Sequence, residues 1–363
     1  MTVADFVRPE LRALSPYELD LADCPFKLDQ NEMPWDLPAR IKARIASELL
    51  AKDWARYPDF HADALRAAIA SRIGWHLGGV LVGNGSNELL ALALEALTRP
   101  GGEVLGVLPS FALYRMFTVR AGARTKFLGP RADLRLPLAE LAAEIDADPT
   151  RPVVLCSPNN PTGESIPPEE IAALAAKLQA PLLLDNAYGE FGCHDYRPLL
   201  ERCPNLVIFK TFSKAWSLGG LRVGYLLAQP ELVTELIKIK LPYNLGHAGA
   251  IGARVVLEEE RVAACRIRAV VRLRRAWSAR LAAFAGLTVL PSEGNFLIVR
   301  FAGGDEAAGR VFTELARRGI RVRDVRRAPG LAGCLRFSVG SARALAATEA
   351  ALTTILGPEE VVP

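Results

Sequence analysis

From about residue 100 onward the chain alternates between short apolar runs and amphipathic stretches, and this alternation restricts the fold more than any other feature. The apolar runs are Glu103–Leu108, Thr125–Leu128, Pro152–Cys156, Leu182–Asp185, Leu206–Phe209 and Gly224–Ala228, while residues 136–146 and 168–179 between them have helical spacing. Near-continuous apolar runs separated by helices predict an α/β fold, a mainly parallel sheet covered by helices on both faces. Upstream, helical spacing covers residues 38–51, 62–73 and 87–98. After Pro230 the texture changes. A short helix at 231–240 precedes one long helical stretch over 249–284, then strand-like 287–290 and 296–301, a helix at 306–318, strand-like 320–325 and 334–339, and a final helix. The expected organisation is an N-terminal arm (1–30) with little regular structure that packs on the smaller domain, a large α/β domain (31–248) and a smaller α+β domain (249–363).

Several classes of function are disfavoured by composition. The net charge of +4 over 363 residues is small, so it does not indicate a nucleic-acid binder, though it suits acidic or phosphorylated small substrates. The arginines of the long helix, Arg261 to Arg280, read as the solvated side of an amphipathic element. Six cysteines are scattered without a C-x-x-C pair or a Cys/His cluster, so neither a disulfide framework nor a metal site is expected. The charged, proline-broken start is unlike a signal peptide, and no apolar run is long enough to span a bilayer. A cytoplasmic protein is the expectation.

In open α/β sheets, ligands bind beyond the carboxyl ends of the strands. Three of the apolar runs end in chemistry-bearing residues: Asn159 and Asn160 in SPNNPTG, Asp185 and Tyr188 in DNAYGEF, and Lys214 with Arg222 in TFSKAWSLGGLRVGY. The histidines His61, His76, His194 and His247 are isolated, and no Ser/His pair or paired carboxylates stand out. An amine, a carboxylate, a phenol, an amide and a guanidinium fit a cofactor whose aldehyde is held by an amine. Pyridoxal phosphate needs a lysine for that aldehyde, a carboxylate opposite the ring nitrogen, donors at the ring oxygen, and an arginine with hydroxyl or backbone donors for the phosphate. Lys214, Asp185, Asn160 with Tyr188, and Arg222 with Ser213 can fill those places. The string Thr211-Phe212-Ser213-Lys214 also matches a hydroxyl-x-x-Lys pattern of some serine acyl transferases, but that pattern leaves Asp185 and Arg222 unexplained.

Taken in order, SPYELD, KLDQNEMPWDLP, RYPD, GNGSNELL, PSFALY, SPNNPTG, DNAYGEF, TFSKAWSLGGLRVGY, GNFLIVRF and GIRVRD…PGLAGCLRFSVG cover nearly the whole chain. Together they resemble the fold-type-I pyridoxal-phosphate enzymes, class II aminotransferases, and within these the histidinol-phosphate aminotransferases. The resemblance implies a seven-stranded sheet in the large domain, pyridoxal 5'-phosphate as cofactor, and a homodimer whose active site is shared between subunits. It implies Lys214 as the Schiff-base lysine and proton carrier, Asp185 at the ring nitrogen, Asn160 and Tyr188 at the ring oxygen, and Phe111 on the ring face. Ser86, Asn87, Ser213 and Arg222, with help from Thr211, would hold the cofactor phosphate, and Tyr57 would reach that phosphate in the neighbouring subunit. Arg336 would bind the carboxylate of glutamate or 2-oxoglutarate and the phosphate of histidinol phosphate. Arg323 and Tyr17 would add to the substrate phosphate site, and Asn31 would lie near the substrate. Period-two alternation puts Arg321 and Arg323 on one face, so the choice of Arg323 comes from the resemblance. Lys210 reads as a solvated surface residue.

The chain departs from the family pattern at Asn186, where glutamate is usual, at Asn87, where aspartate is common, and at Phe111, where tyrosine is frequent. None of these removes a group that transamination requires. The implied reaction exchanges an amino group between glutamate and imidazole acetol phosphate. Alternatives on the same scaffold are an aromatic-amino-acid aminotransferase and a threonine-phosphate decarboxylase-like lyase. A regulator with an aminotransferase-like domain would need a DNA-binding module, for which the short segment before KLDQNEMPWDLP leaves no room.

Overall fold

The computed structural model describes residues 6–16 and 23–357. In chain order the elements are α1 (Pro9–Arg12), β1 (Phe26–Leu28), α2 (Ala39–Leu50), α3 (Asp63–Ile73), β2 (Val80–Gly83), α4 (Ser86–Leu97), β3 (Glu103–Val107), α5 (Leu113–Arg120), β4 (Arg124–Leu128), α6 (Leu138–Ala147), β5 (Val153–Cys156), α7 (Pro168–Lys177), β6 (Leu182–Asp185), β7 (Leu206–Thr211) and β8 (Gly224–Leu227). They continue with α8 (Pro230–Ile237), α9 (His247–Glu258), α10 (Glu260–Ala282), β9 (Leu287–Val289), β10 (Phe296–Phe301), α11 (Gly304–Arg317), β11 (Ile320–Asp324), β12 (Cys334–Ser338) and α12 (Ala342–Leu356).

One sheet has seven strands in the order β2-β8-β7-β6-β5-β3-β4. Its strands run parallel except β8, which is antiparallel to both neighbours. Along β5, β6 and β7 successive residues enter opposite cores. Val153, Leu155, Leu182, Leu184, Leu206 and Ile208 pack to one side, whereas Val154, Cys156, Leu183, Val207 and Phe209 pack to the other with α4. Both faces are dry, which is why these strands read as unbroken apolar runs rather than as alternating ones. Truncating a fully buried member such as Leu184 to alanine removes about 2–5 kcal/mol. A second sheet, ordered β1-β11-β12-β10-β9, is antiparallel except that β1 runs parallel to β11.

The elements differ from the sequence reading in four places. Within the arm, residues 26–28 form β1, because they pair with an edge strand far along the chain that local pattern does not reveal. Strand β2 is only four residues long, and its partner is β8. Helix α5 follows the cavity-lining Phe111 and buries Tyr114, Phe117 and Thr118. The long helical stretch is two helices, α9 and α10, divided at Glu259, whose backbone leaves helical geometry (φ −97°, ψ 28°).

Candidate active site

The chain runs from β3 outward to β4, then crosses back to β5 on the opposite side of β3 and continues through β6 to β7. Such a reversal opens a crevice at the carboxyl ends of the strands. A cavity of about 200 Å³ lies there, lined among others by Asn31, Ser86, Asn87, Phe111, Asn160, Asp185, Tyr188, Thr211, Ser213, Lys214, Arg222 and Arg336. Residues placed after six different strands therefore converge on one space.

Asp185 ends β6, opposite Cys156 on β5 and Phe209 on β7. Its Oδ2 accepts from the Tyr114 hydroxyl at 2.7 Å and its Oδ1 from the Ala187 amide at 3.1 Å. Burial pushes this carboxyl from 3.8 up to about 6, against the opposing pull of the Tyr114 hydrogen bond, the Ala187 amide and the Lys214 charge. Tyr114 is itself held well above its usual value by burial and by Asp185, so it stays a donor. Lys214 sits in the turn after β7 and donates to the Gln30 carbonyl at 2.7 Å. Burial, then the Arg336 charge, lowers its amine from 10.5 to about 8. A neutral amine is thus accessible near neutral pH, and only that form attacks an aldehyde.

The two neighbouring asparagines divide their tasks. Asn159 holds the turn, donating to the Pro109 carbonyl (2.9 Å) and Thr162 Oγ1 (2.8 Å) and accepting from Ser110. Asn160 faces the cavity and accepts from Arg336 Nη1 at 2.7 Å, while Arg336 Nη2 donates to the Asp29 carbonyl. Tyr188 accepts from Asn31 Nδ2 at 3.0 Å, and burial pushes its phenol up. Asn31 is bound in turn to Ser338 by its amide and its Oδ1. The segment 29–31, which follows β1, therefore touches Arg336, Lys214 and Tyr188 at once.

A third corner is built for an anion. Helix α4 begins at Ser86 with no side-chain cap, and the first amides of a helix have no partner within it. A Cβ on Gly224 would stand 2.3 Å from the Ser86 nitrogen, and one on Gly85 (φ +79°) would stand 2.6 Å from Arg222 Nη2. Only glycines let β8 and the helix start come this close. Arg222 donates to Ser213 Oγ and the Gly219 carbonyl, both at 3.1 Å, and Thr211 Oγ1 accepts from the Ser213 amide. Phe111 meets Tyr114 edge-on, with centroids 5.4 Å apart, and presents an aromatic wall to the cavity.

A larger cavity of about 1040 Å³ adjoins the first and shares Phe111, Asn160 and Arg336 with it. Arg323 lines it, cross-strand from Arg336 in the β11–β12 register; the neighbouring Arg321 is not among its lining residues. Arg115, Asp324 and Arg327 also line it. Tyr57 lies elsewhere: it is 77 % exposed and stacks on Tyr243, with centroids 4.3 Å apart. Tyr17 lies outside the described residues. Lys210 is not a solvated lysine, because its amine pairs with Glu190 at 3.1 Å and donates to Asn186 Oδ1 at 3.0 Å. The sequence reading missed Tyr114, Gln30, Arg115 and Arg327. Of these only Tyr114, three residues after Phe111 at helical spacing, carried a local signal.

The donor set fits pyridoxal phosphate. A buried carboxylate held by a phenol and a backbone amide suits a protonated ring nitrogen, a depressed amine suits an aldehyde, and a helix start with an arginine and a serine suits a phosphate. Among the described residues no cluster of His, Cys, Asp and Glu could hold a metal ion, the six cysteines are free, and no helix is long and apolar enough to cross a membrane.

Comparison with known proteins agrees with this geometry. Residues 25–355 match the model of the aminotransferase class I and II family, and the chain belongs to that family. A histidinol-phosphate aminotransferase of Chlorobium phaeovibrioides is 35 % identical over 337 residues, 92 % of each chain. A histidinol-phosphate aminotransferase 2 of Ralstonia nicotianae is 38 % identical over 343 residues, covering 92 % of this chain and 89 % of the relative. The solved histidinol-phosphate aminotransferase of Sinorhizobium meliloti, in complex with pyridoxal-5'-phosphate, superposes with a TM-score of 0.87 over 96 % of this chain and 97 % of that one; at 24 % identity it speaks for the fold.

Proposed function

We propose that this chain is a cytoplasmic, homodimeric, pyridoxal-phosphate-dependent aminotransferase of histidine biosynthesis. It exchanges an amino group between L-glutamate/2-oxoglutarate and imidazole acetol phosphate/L-histidinol phosphate. The observation that carries the reading is the joining of two cavities: one holds Lys214 and Asp185, the other is lined by Arg323, and Arg336 borders both. The names of relatives matched along more than nine-tenths of the chain support the same substrates.

When bound, the cofactor supplies an electron-accepting ring. The remaining work belongs to the chain. Lys214 would hold the aldehyde and, once free, would serve as the base that moves the proton of the substrate carbon, its amine being lowered to about 8. Asp185, held by Tyr114, would keep the ring nitrogen protonated. Tyr188 and Asn160 would bind the ring oxygen, Phe111 would cover the ring, and Ser86, Asn87, Thr211, Ser213 and Arg222, which line the same cavity, would hold the phosphate. Arg336 grips the carboxylate or phosphate of either substrate, since a guanidinium suits both anions, with Arg323 beside it. The exposed apolar side chains Leu50, Trp54, Tyr57, Leu241 and Tyr243 support a subunit interface, through which Tyr57 reaches the partner's site. We also propose the division into arm, large domain and small domain at residues 30 and 248, in accord with the two sheets.

The test is to add L-histidinol phosphate to cofactor-loaded protein without a keto acid and follow visible absorption. Rapid loss of the loaded enzyme's band, with appearance of the aminated cofactor, is expected. A band that disappears only with phenylalanine or tyrosine would move the substrate to aromatic amino acids.

A further inference from the structure

The larger cavity holds more positive charge than the substrate arginines alone account for. Four guanidiniums line it, those of Arg115, Arg323, Arg327 and Arg336. Its acid, Asp324, is already held by Arg326 at 2.7 Å, with a second bond at 3.0 Å. Arg336 is buried at 8 % exposure and bonded to Asn160 and the Asp29 carbonyl, and Arg323 is half-buried on the adjacent strand. Arg115, on α5, and Arg327, after β11, are both exposed. Among the described residues Arg115 has no acidic partner. The two exposed cations thus come from opposite walls of the cavity, one beside the large sheet and one beside the small sheet. A solute arriving from water meets them before it meets Arg323 or Arg336.

We propose that Arg115 and Arg327 form an entry station for a phosphate dianion, capturing it at the mouth and passing it to the deeper arginines. This deepens the proposed function and rests on it for the identity of the substrate. The chemistry selects charge as well as shape. A phosphate monoester carries close to two charges near neutral pH, so a field made by exposed cations draws it more strongly than a single carboxylate. Exposed charges act chiefly on capture, which kcat/KM reports, and their effect is screened by salt. Arg323 and Arg336 act later, once the substrate is in place.

The test uses the cofactor-loaded enzyme and the variants Arg115→Ala, Arg327→Ala and their double. In the half-reaction with L-histidinol phosphate, kcat/KM of the double variant at low salt falls about ten-fold, the lower end for electrostatic steering. The loss falls on kcat/KM far more than on the limiting rate, and the salt dependence flattens. Arg115→Lys restores most of the capture rate, because charge rather than fork geometry is what counts. An equal loss in the limiting rate, or a salt dependence like that of the wild type, overturns the proposal. Inorganic phosphate competing with glutamate supplies a readout that does not depend on the phosphate substrate: its inhibition constant rises about ten-fold in the double variant. An unchanged constant also overturns the proposal. If the wild type ignores L-histidinol phosphate but loses phosphate inhibition in the variants, the substrate assignment fails and the entry station stands.

Discussion

The inner and outer cavities are neighbours built on opposite plans. In the inner one, polar side chains are held by others: Asp185 by Tyr114, Tyr188 by Asn31, Asn160 by Arg336, Lys214 by the Gln30 carbonyl. In the outer one, Arg115 and Arg327 stand in solvent. A reacting group misplaced by an ångström loses rate steeply, so chemistry needs a fixed inner frame. An attracting field tolerates mobile charges, so recognition of an incoming anion does not. Side chains of the inner cavity should therefore respond to substitution in kcat, and those of the outer one in capture.

The largest break would come at Lys214. Lys214→Ala should lower turnover by about 10⁴-fold or more, since it removes both the proposed aldehyde holder and the proposed proton carrier. Single-turnover spectroscopy with L-histidinol phosphate and with glutamate checks this, and substantial remaining transamination would end the assignment. Next is Arg336, which belongs to both cavities. Arg336→Ala should weaken glutamate and histidinol phosphate alike, by about 2–5 kcal/mol, because it also releases Asn160 and the Asp29 carbonyl. If the kinetics of only one substrate suffered, a shared anion site would be wrong.

Two effects of pH sharpen the view of the inner cavity. In cofactor-free protein, Asp185 is raised from 3.8 to about 6. The stability it contributes is present below 3.8 and is lost as pH rises through about 6, a change of about 3 kcal/mol. Cofactor-free Asp185→Asn should therefore melt above the wild type at pH 8, with the gap closing toward pH 4. A gap independent of pH would mean that Asp185 is not desolvated. Lys214, lowered to about 8, makes a matching kinetic prediction. Uptake of pyridoxal phosphate by cofactor-free protein should accelerate as pH rises toward about 8 and level off beyond it. A midpoint near 10.5 would place the amine in water. The smallest effect is expected at Tyr57. Tyr57→Ala should loosen subunit association by about 1 kcal/mol through loss of an exposed aromatic side chain from the proposed interface, measured by sedimentation at falling concentration. A strictly monomeric, active wild type would contradict its role.

Much of this frame was legible without coordinates, and the reason is local. Strands buried on both faces announce themselves as apolar runs, and the polar residues ending them mark the crevice, as Asn160, Asp185 and Lys214 do. What stayed hidden depends on partners distant in sequence. Gln30 contributes a carbonyl, which has no side-chain signature. Strand β1 is three residues long and exists because β11 is there to pair with it. Arg115 and Arg327 are ordinary surface arginines until the fold brings them to one mouth. Lys210 looked solvated because Glu190 and Asn186, which enclose it, lie on another turn. Alternation could not choose between Arg321 and Arg323, whereas the cavity includes only the latter.

The pairing of β1 with β11 also governs the order in which the molecule can be completed. Phe26 waits for Ile320, about 300 residues later, and loop closure over such a span is slow. The seven-stranded sheet can form while the ribosome is still at work, with its cofactor corner shaped but its lysine unsupported. Residues 29–31, which contact Lys214, Tyr188 and Arg336, directly follow the strand that makes this pairing. One short parallel pairing thus ties the support of the lysine to the docking of the small sheet, and loosening it would loosen Lys214, Tyr188 and Arg336 together.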